Sequence, residues 1–220
     1  DKIRPACKVC EYPVAPFADV AVVLIGVDTG KEIYLRGKSD AGKEALDKAG
    51  IGEAGEASGR EEAVAALAEK RKAALDKLIK ETQEKIKGWD NIVAHFEDCV
   101  NCHNCKTMCP VCYCRHCFFD SDALDCEGRR HLGAALRKGA LRMPANSLLF
   151  HITRMNHMGL SCVGCGMCSD ACPNGIDVFS VFRAVAHNAQ KEFEYVPGVS
   201  PEDELPMATY REEEFQEIGT

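Results

Sequence analysis

The sequence is short of most features that place a chain in a common functional class. It has no basic run: Lys plus Arg number 27 against 34 Asp plus Glu, for a net charge of -7. Such a chain lacks the cationic surface that neutralises phosphates, which excludes wrapping of nucleic acid. It has no long apolar run either. The longest, ADVAVVLIGV at residues 18–27, is far too short to span a bilayer, so no membrane span is expected. Its first residues do not read as a signal segment, and Asp1 in place of Met reads as a portion of a longer chain. Aromatic residues make up 7% and Trp89 is the single tryptophan. A conventional core is therefore thin, and something besides apolar burial is expected to hold part of the chain together. Cysteine is missing between residues 11 and 98 and again after 172. A secreted disulfide framework spreads its cysteines to staple distant loops, so gaps of this size argue against one. A reducing, cytoplasmic setting is the expectation.

What is present is cysteine in clusters, 14 in 220 residues, about four times ordinary usage. Two stand at the start (Cys7, Cys10), eight between Cys99 and Cys126, and four between Cys162 and Cys172. Residues 99–110 read CVNCHNCKTMCP and residues 162–173 read CVGCGMCSDACP. Each is C-x2-C-x2-C-x3-C-P, the spacing of two-cluster bacterial ferredoxins. Three thiolates separated by two residues let one tight loop reach three corners of an iron–sulfur cube. The fourth cysteine starts a new segment, points away and completes the other cube. The spacing therefore assigns Cys99, Cys102, Cys105 and Cys172 to one 4Fe–4S cluster, and Cys162, Cys165, Cys168 and Cys109 to a second. Zinc is the competing metal, but its sites are usually built from two C-x2-C pairs, and two complete four-cysteine runs do not fit that economy. Gly164 and Gly166 lie between the thiolates of the second run, where glycine permits positive φ and close backbone approach. The first run carries Asn101, His103, Asn104 and Lys106 instead, so the two clusters are expected to differ in potential.

Other residues leave their alternatives open. Cys112, Cys114, Cys117 and Cys126 offer either a third 4Fe–4S cluster or a few packed thiols. Cys7 and Cys10 form an isolated C-x2-C, half of a site at most. His151, Arg154 and His157 lie three apart just before the second run, suited to offset thiolate charge or to ordinary packing. Gly37 to Glu44 matches most of a phosphate-binding loop, yet Glu44 stands where a hydroxyl must hold magnesium, and a charged turn and cap is the better reading. No nucleophile–base constellation and no dinucleotide fingerprint is present.

The fold expected is α+β: a small N-terminal β-hairpin region, a long helix, then a mainly helical part and an extended C-terminal tail. Residues 18–27 read as a buried strand and 32–36 as its hairpin partner, with Ile33 and Leu35 on one face. Ser39 or Asp40 caps a short helix ending before Gly50. Ser58 and Glu61 form a capping box opening a helix that Gly88 stops near Lys87, with a stripe of Val64, Leu67, Leu75, Leu78, Ile79 and Ile86. Further helices are expected over 121–138, 146–158 capped by Asn146, and 177–192 capped by Asp177. The last sets Val178, Val181, Phe182, Val185 and Ala189 at helical spacing. Residues 194–220 hold Phe193-adjacent aromatics, prolines and acids in a segment expected to lie extended against a partner or its own domain.

The long helical connection from Cys109 to Cys162 resembles the alpha-helical ferredoxin domains of succinate dehydrogenase and heterodisulfide reductase subunits, over roughly residues 95–193. The stretch CKVCEYPVAPFADVAVVLIGVDTGKEIYLRGKSDAGKEAL resembles the C-terminal part of the beta subunits of deazaflavin-coenzyme-reducing hydrogenases and formate dehydrogenases. Cys7, Cys10, Ala18-Asp19-Val20 and Gly26 stand in matching places. CPVCYCRHCFFDS, SLLFHITRMNHMGLSCVGCGMC and FEYVPG are similar to the iron–sulfur extension of formate dehydrogenase-type beta subunits. The resemblance implies residues 1–58 as the end of a flavoprotein-like domain, 59–90 as a connecting helix, 91–193 as an alpha-helical two-cluster ferredoxin domain and 194–220 as a docking tail. It places flavin only in a region that precedes this one or in a partner. It also gives Cys7 and Cys10 a role in a cluster beside the flavin. The function it implies is electron relay in a cytoplasmic, anaerobic oxidoreductase complex, between a catalytic or flavoprotein subunit and a heterodisulfide reductase-type module. A structural or redox-sensing iron–sulfur protein is the alternative.

Overall fold

The structure, a computed structural model, describes residues 3–14, 17–52, 59–122, 127–139, 145–200, 202–204 and 206. The chain divides into two compact units, Asp1–Lys77 and Leu78–Thr220. The fold is α+β and mainly helical, with one two-stranded antiparallel hairpin among the described residues.

In the first unit a single turn, α1 (Pro5–Lys8), precedes strand β1 (Val20–Val23) and strand β2 (Tyr34–Gly37). The strands pair with Val20 opposite Gly37 and Val23 opposite Tyr34. The expected strand over 18–27 is thus much shorter. Val23 alone is buried within it, while Val22 and Leu24 are more than half exposed. A lone hairpin has one covered face, so period-two alternation applies and the run cannot be buried throughout. Helix α2 (Asp40–Lys48) follows, with the Ser39 hydroxyl accepting from the Gly42 amide as its cap. A Cβ at Gly42 would fall 1.9 Å from the carbonyl oxygen of Asp19, so the helix reaches β1 only because residue 42 is glycine. Ser39 Oγ also donates to the Asp19 carboxylate. The glycines and serine of the phosphate-loop-like segment therefore serve turn, cap and close packing.

Helix α3 (Arg60–Lys85) runs across the division between the units, and Gly88 beyond it takes φ 87°. Ser58 lies outside the described residues. Leu75, Ile79 and Thr82 form its buried stripe, at i, i+4 and i+7.

The second unit holds α4 (Trp89–His95), the one-turn α5 (Asn104–Thr107), a 3-10 turn Phe118–Asp120, α6 (Gly128–Lys138), α7 (Ala145–Met158), the one-turn α8 (Met167–Asp170) and α9 (Val178–Glu192). Helix α6 begins later than the periodicity of 121–138 suggests, and Glu127 is its N-cap. Asn146 falls inside the first turn of α7 rather than before it. Asp177 caps α9, its carboxylate accepting from the Ser180 amide at 3.1 Å. Val185 faces outward, and Phe179, Arg183, Ala184 and Ala186 join Val178, Val181 and Phe182 on the buried face. The core gathers Phe96, Leu148, Met155, Ile176, Val178, Val181 and Phe182, with Cys99, Cys168 and Cys172 packed against it. No helix among the described residues is long and apolar enough to cross a membrane. Leu205, Met207, Tyr210, Phe215 and the acidic run at 212–214 lie outside the described residues.

Candidate metal centre

The two cysteine runs fold into matching loops. In the first, Asn101 and His103 take φ 56° and 60°; at the same offsets in the second, Gly164 and Gly166 take φ 64° and 76°. Each loop then enters a single helical turn, α5 or α8, that carries the third cysteine. Each turn ends alike, at Met108 (φ -86°, ψ -4°) and Ala171 (φ -84°, ψ -7°), immediately before the fourth cysteine. Turns α5 and α8 pack on each other, and α8 packs on α9.

That packing sorts the thiols into crossed groups. Cys99, Cys102 and Cys105 line one cleft together with Cys172, His151, Phe150 and Asn174. The Cys99 thiol is pushed up by burial, with Cys102 and Cys172 adding to the effect and the Asn101 amide opposing it. Cys105 is pushed up to about 11, chiefly by burial, with Arg154 opposing and Cys99, Cys102 and Cys172 adding. In the second group Cys162 is raised by burial; the Gly164 amide and Arg183 oppose, and Cys109 and Cys165 add. Cys168 is pushed up to about 12, again by burial first, against Arg154 and with Cys162 and Cys165. The first thiol of each run thus takes a hydrogen bond from the amide two residues on.

Helix α7 supplies the polar groups beside the thiols. His151 Nε2 lies 3.3 Å from Cys99 Sγ, and its ring stacks on Phe96 at 4.1 Å. Burial, then the nearby Arg154, His95 and His103, brings the His151 pKa down to about 3. Arg154, only 3% exposed, donates from Nη1 to Cys105 Sγ at 3.2 Å and from Nη2 to the Cys105 carbonyl at 3.1 Å. His157 is exposed. The left-handed residues of the first loop are held by side chains: His103 Nε2 lies 3.2 Å from Asn101 Oδ1, His103 Nδ1 lies 3.1 Å from Asp120 Oδ1, and the His103 ring stacks on Phe150 at 4.3 Å. Lys106 also pairs with Asp120.

The remaining cysteines are placed as follows. Burial raises the Cys112 thiol, with Arg154 opposing and Cys109 and Cys117 adding. Cys117 packs with Cys105, Phe119 and Phe150. Cys114 is exposed, and Cys126 lies outside the described residues. Cys7, exposed, and Cys10 belong to the first unit, where the Cys10 thiol donates to the Tyr12 carbonyl. Two residues absent from the sequence reading matter here. Gln190 Nε2 sits within reach of three carbonyls, Gly159 at 3.3 Å, Leu160 at 2.9 Å and Cys162 at 2.8 Å, while its oxygen accepts from Arg183 Nη1 at 3.1 Å. Their signal was available: two long polar side chains, seven apart, on an otherwise apolar helix.

An all-thiol donor set suits iron–sulfur or zinc chemistry. Among the described residues no three His, Cys, Asp or Glu side chains close around a single ion. A four-iron cube spreads its thiolates over four irons instead of gathering them on one. A buried guanidinium with no carboxylate partner among the described residues, and the buried, unpaired Nε of Arg154 and Nδ1 of His151, fit an anionic occupant beside α7.

No family model matches the chain. It is similar to the F420-dependent formate dehydrogenase subunit beta of Methanocaldococcus jannaschii, 26% identical over 204 residues, covering 89% of this chain and 49% of that protein. It is also similar to the F420-dependent formate dehydrogenase 1 subunit beta of Methanococcus maripaludis, 29% identical over 216 residues, covering 93% of this chain and 51% of that protein. The chain spans about half the length of these relatives.

Proposed function

We propose that this chain is the iron–sulfur electron-transfer part of a formate dehydrogenase or deazaflavin-coenzyme dehydrogenase type of oxidoreductase. The observation that carries the reading is the crossed grouping of thiols, Cys172 with Cys99, Cys102 and Cys105 about one cleft and Cys109 beside Cys162. In this reading Cys99, Cys102, Cys105 and Cys172 hold one 4Fe–4S cluster, and Cys162, Cys165, Cys168 and Cys109 a second. Bound there, such clusters supply one-electron storage at potentials set by charge, hydrogen bonds and exposure. The chain's own residues bring the two quartets together through α5 and α8, bury Cys105, half-bury the other thiols apart from the exposed Cys102, and line the first cleft with Phe150 and His151. The similarity to named formate dehydrogenase beta subunits supports the reaction class. The proposed partners are a catalytic subunit, a flavoprotein site and a heterodisulfide reductase-type acceptor, in the cytoplasm. Residues 91–193 are proposed as the ferredoxin domain, with 1–58, 59–90 and 194–220 as flavoprotein-like end, connecting helix and docking tail. Cys112 and Cys117, with Cys114 and Cys126, are the candidates for a third cluster, and Cys7 and Cys10 for a site completed elsewhere.

The test is metal analysis of the anaerobically purified protein. Two clusters give about eight irons per chain and matching sulfide, and a third gives about twelve. Stoichiometric zinc with little iron would overturn the assignment. In the complex isolated with its catalytic subunit, adding formate should reduce the clusters, seen as bleaching of the iron–sulfur absorption; clusters that stay oxidised would exclude the relay.

A further inference from the structure

Arg154 is a buried cation set where the two quartets meet. Its guanidinium donates to the thiol and the carbonyl of Cys105, a member of the first quartet. It also lies within electrostatic reach of Cys168 in the second quartet and of Cys112. Cys105 and Cys168 meet about the small core of Phe119 and Phe150, so the two quartets come together at this point. Arg154 lies over two aromatic rings there, its guanidinium carbon 5.3 Å from the centre of Phe150 and 4.8 Å from that of Phe182. No carboxylate pairs with it among the described residues. A buried guanidinium without an anion is costly, and a thiolate-bound anion is the partner that its place provides.

Resting on the cluster reading above, we propose that Arg154 is a shared counter-charge, a positioning residue that stabilises the reduced, more negative form of both clusters. Reduction adds one electron to either cluster and breaks no bond, and the guanidinium stays protonated throughout. The low dielectric around Arg154 makes the added charge count at both quartets. Arg183, by contrast, stands against Gly164 and lies beside Cys162 of the second quartet.

The experiment is a dye-mediated redox titration of the full-length protein, purified anaerobically, followed by electron paramagnetic resonance with iron counted in each sample. In Arg154→Met both clusters should assemble, and at a fixed potential the reduced-to-oxidised ratio of each should fall about tenfold or more, which is about 59 mV for one electron. Arg154→Lys keeps the charge and should recover most of that loss. Arg183→Met should move the second cluster only. Unchanged potentials in Arg154→Met, or a change confined to one cluster, overturn the shared role. If the methionine variant loses its iron, the lysine variant decides: assembled clusters near wild-type potential uphold the role of charge, and loss of iron there as well assigns Arg154 to packing. A wild-type protein without iron would instead sink the cluster reading itself, and with it this one.

Discussion

At the scale of single residues, the two loops solve one backbone problem in two ways. Both need left-handed φ at the second and fourth positions after the first cysteine. The second loop uses Gly164 and Gly166, which adopt it without a steric cost. The first uses Asn101 and His103 and offsets the strain with the Asn101–His103–Asp120 chain and the stack on Phe150. A Cβ at Gly164 would also meet Arg183, whose Cδ lies 3.2 Å from that point. Gly164→Ala should therefore lower stability by about 1–2 kcal/mol from the backbone alone, read as an earlier midpoint in anaerobic urea unfolding; an unchanged midpoint contradicts the strain argument. The need for glycine between the second-run thiolates was legible from spacing. That Asn and His serve the same turn was not, because their support comes from Asp120 and Phe150, far along the chain.

At the scale of elements, the paired turns α5 and α8 and the long helices α7 and α9 decide which thiols meet. Ser169 in α8 accepts from the Phe179 amide at 2.7 Å, tying the turn to the start of α9. Gln190, near the other end of α9, holds the approach to the second run through the carbonyls of Gly159, Leu160 and Cys162. Gln190→Ala leaves those carbonyls without their donor, a loss of about 1–3 kcal/mol where they are buried. The second cluster should then be stripped faster by an iron chelator while the first keeps its wild-type rate; equal rates for both would remove Gln190 from this role. Helix caps such as Ser39 and Asp177 were legible because capping chemistry is local. The outward turn of Val185 and the inward turn of Arg183 were not, since hydrophobic periodicity assigns a face by residue type and α9 buries a polar pair for the sake of its neighbours.

At the scale of the whole molecule, the chain carries its cysteine quartets in the unit Leu78–Thr220 and its hairpin in the unit Asp1–Lys77. Sequence spacing assigns Cys172 to the first run, on the argument that a C-x3-C-P step turns the last thiol away from its own loop. It could not reveal that α7 sets polar groups beside the first quartet: His151 and Arg154 read equally as packing until their distances to Cys99 and Cys105 are known. The central claim is the crossed wiring, and paired serine substitutions test it most directly. Each variant is reduced and its paramagnetic resonance spectrum compared with wild type. Cys172→Ser and Cys99→Ser should alter the same cluster signal, and Cys109→Ser and Cys162→Ser the other. If Cys172→Ser instead alters the signal that Cys162→Ser alters, each run holds its own cluster and the crossed arrangement is wrong.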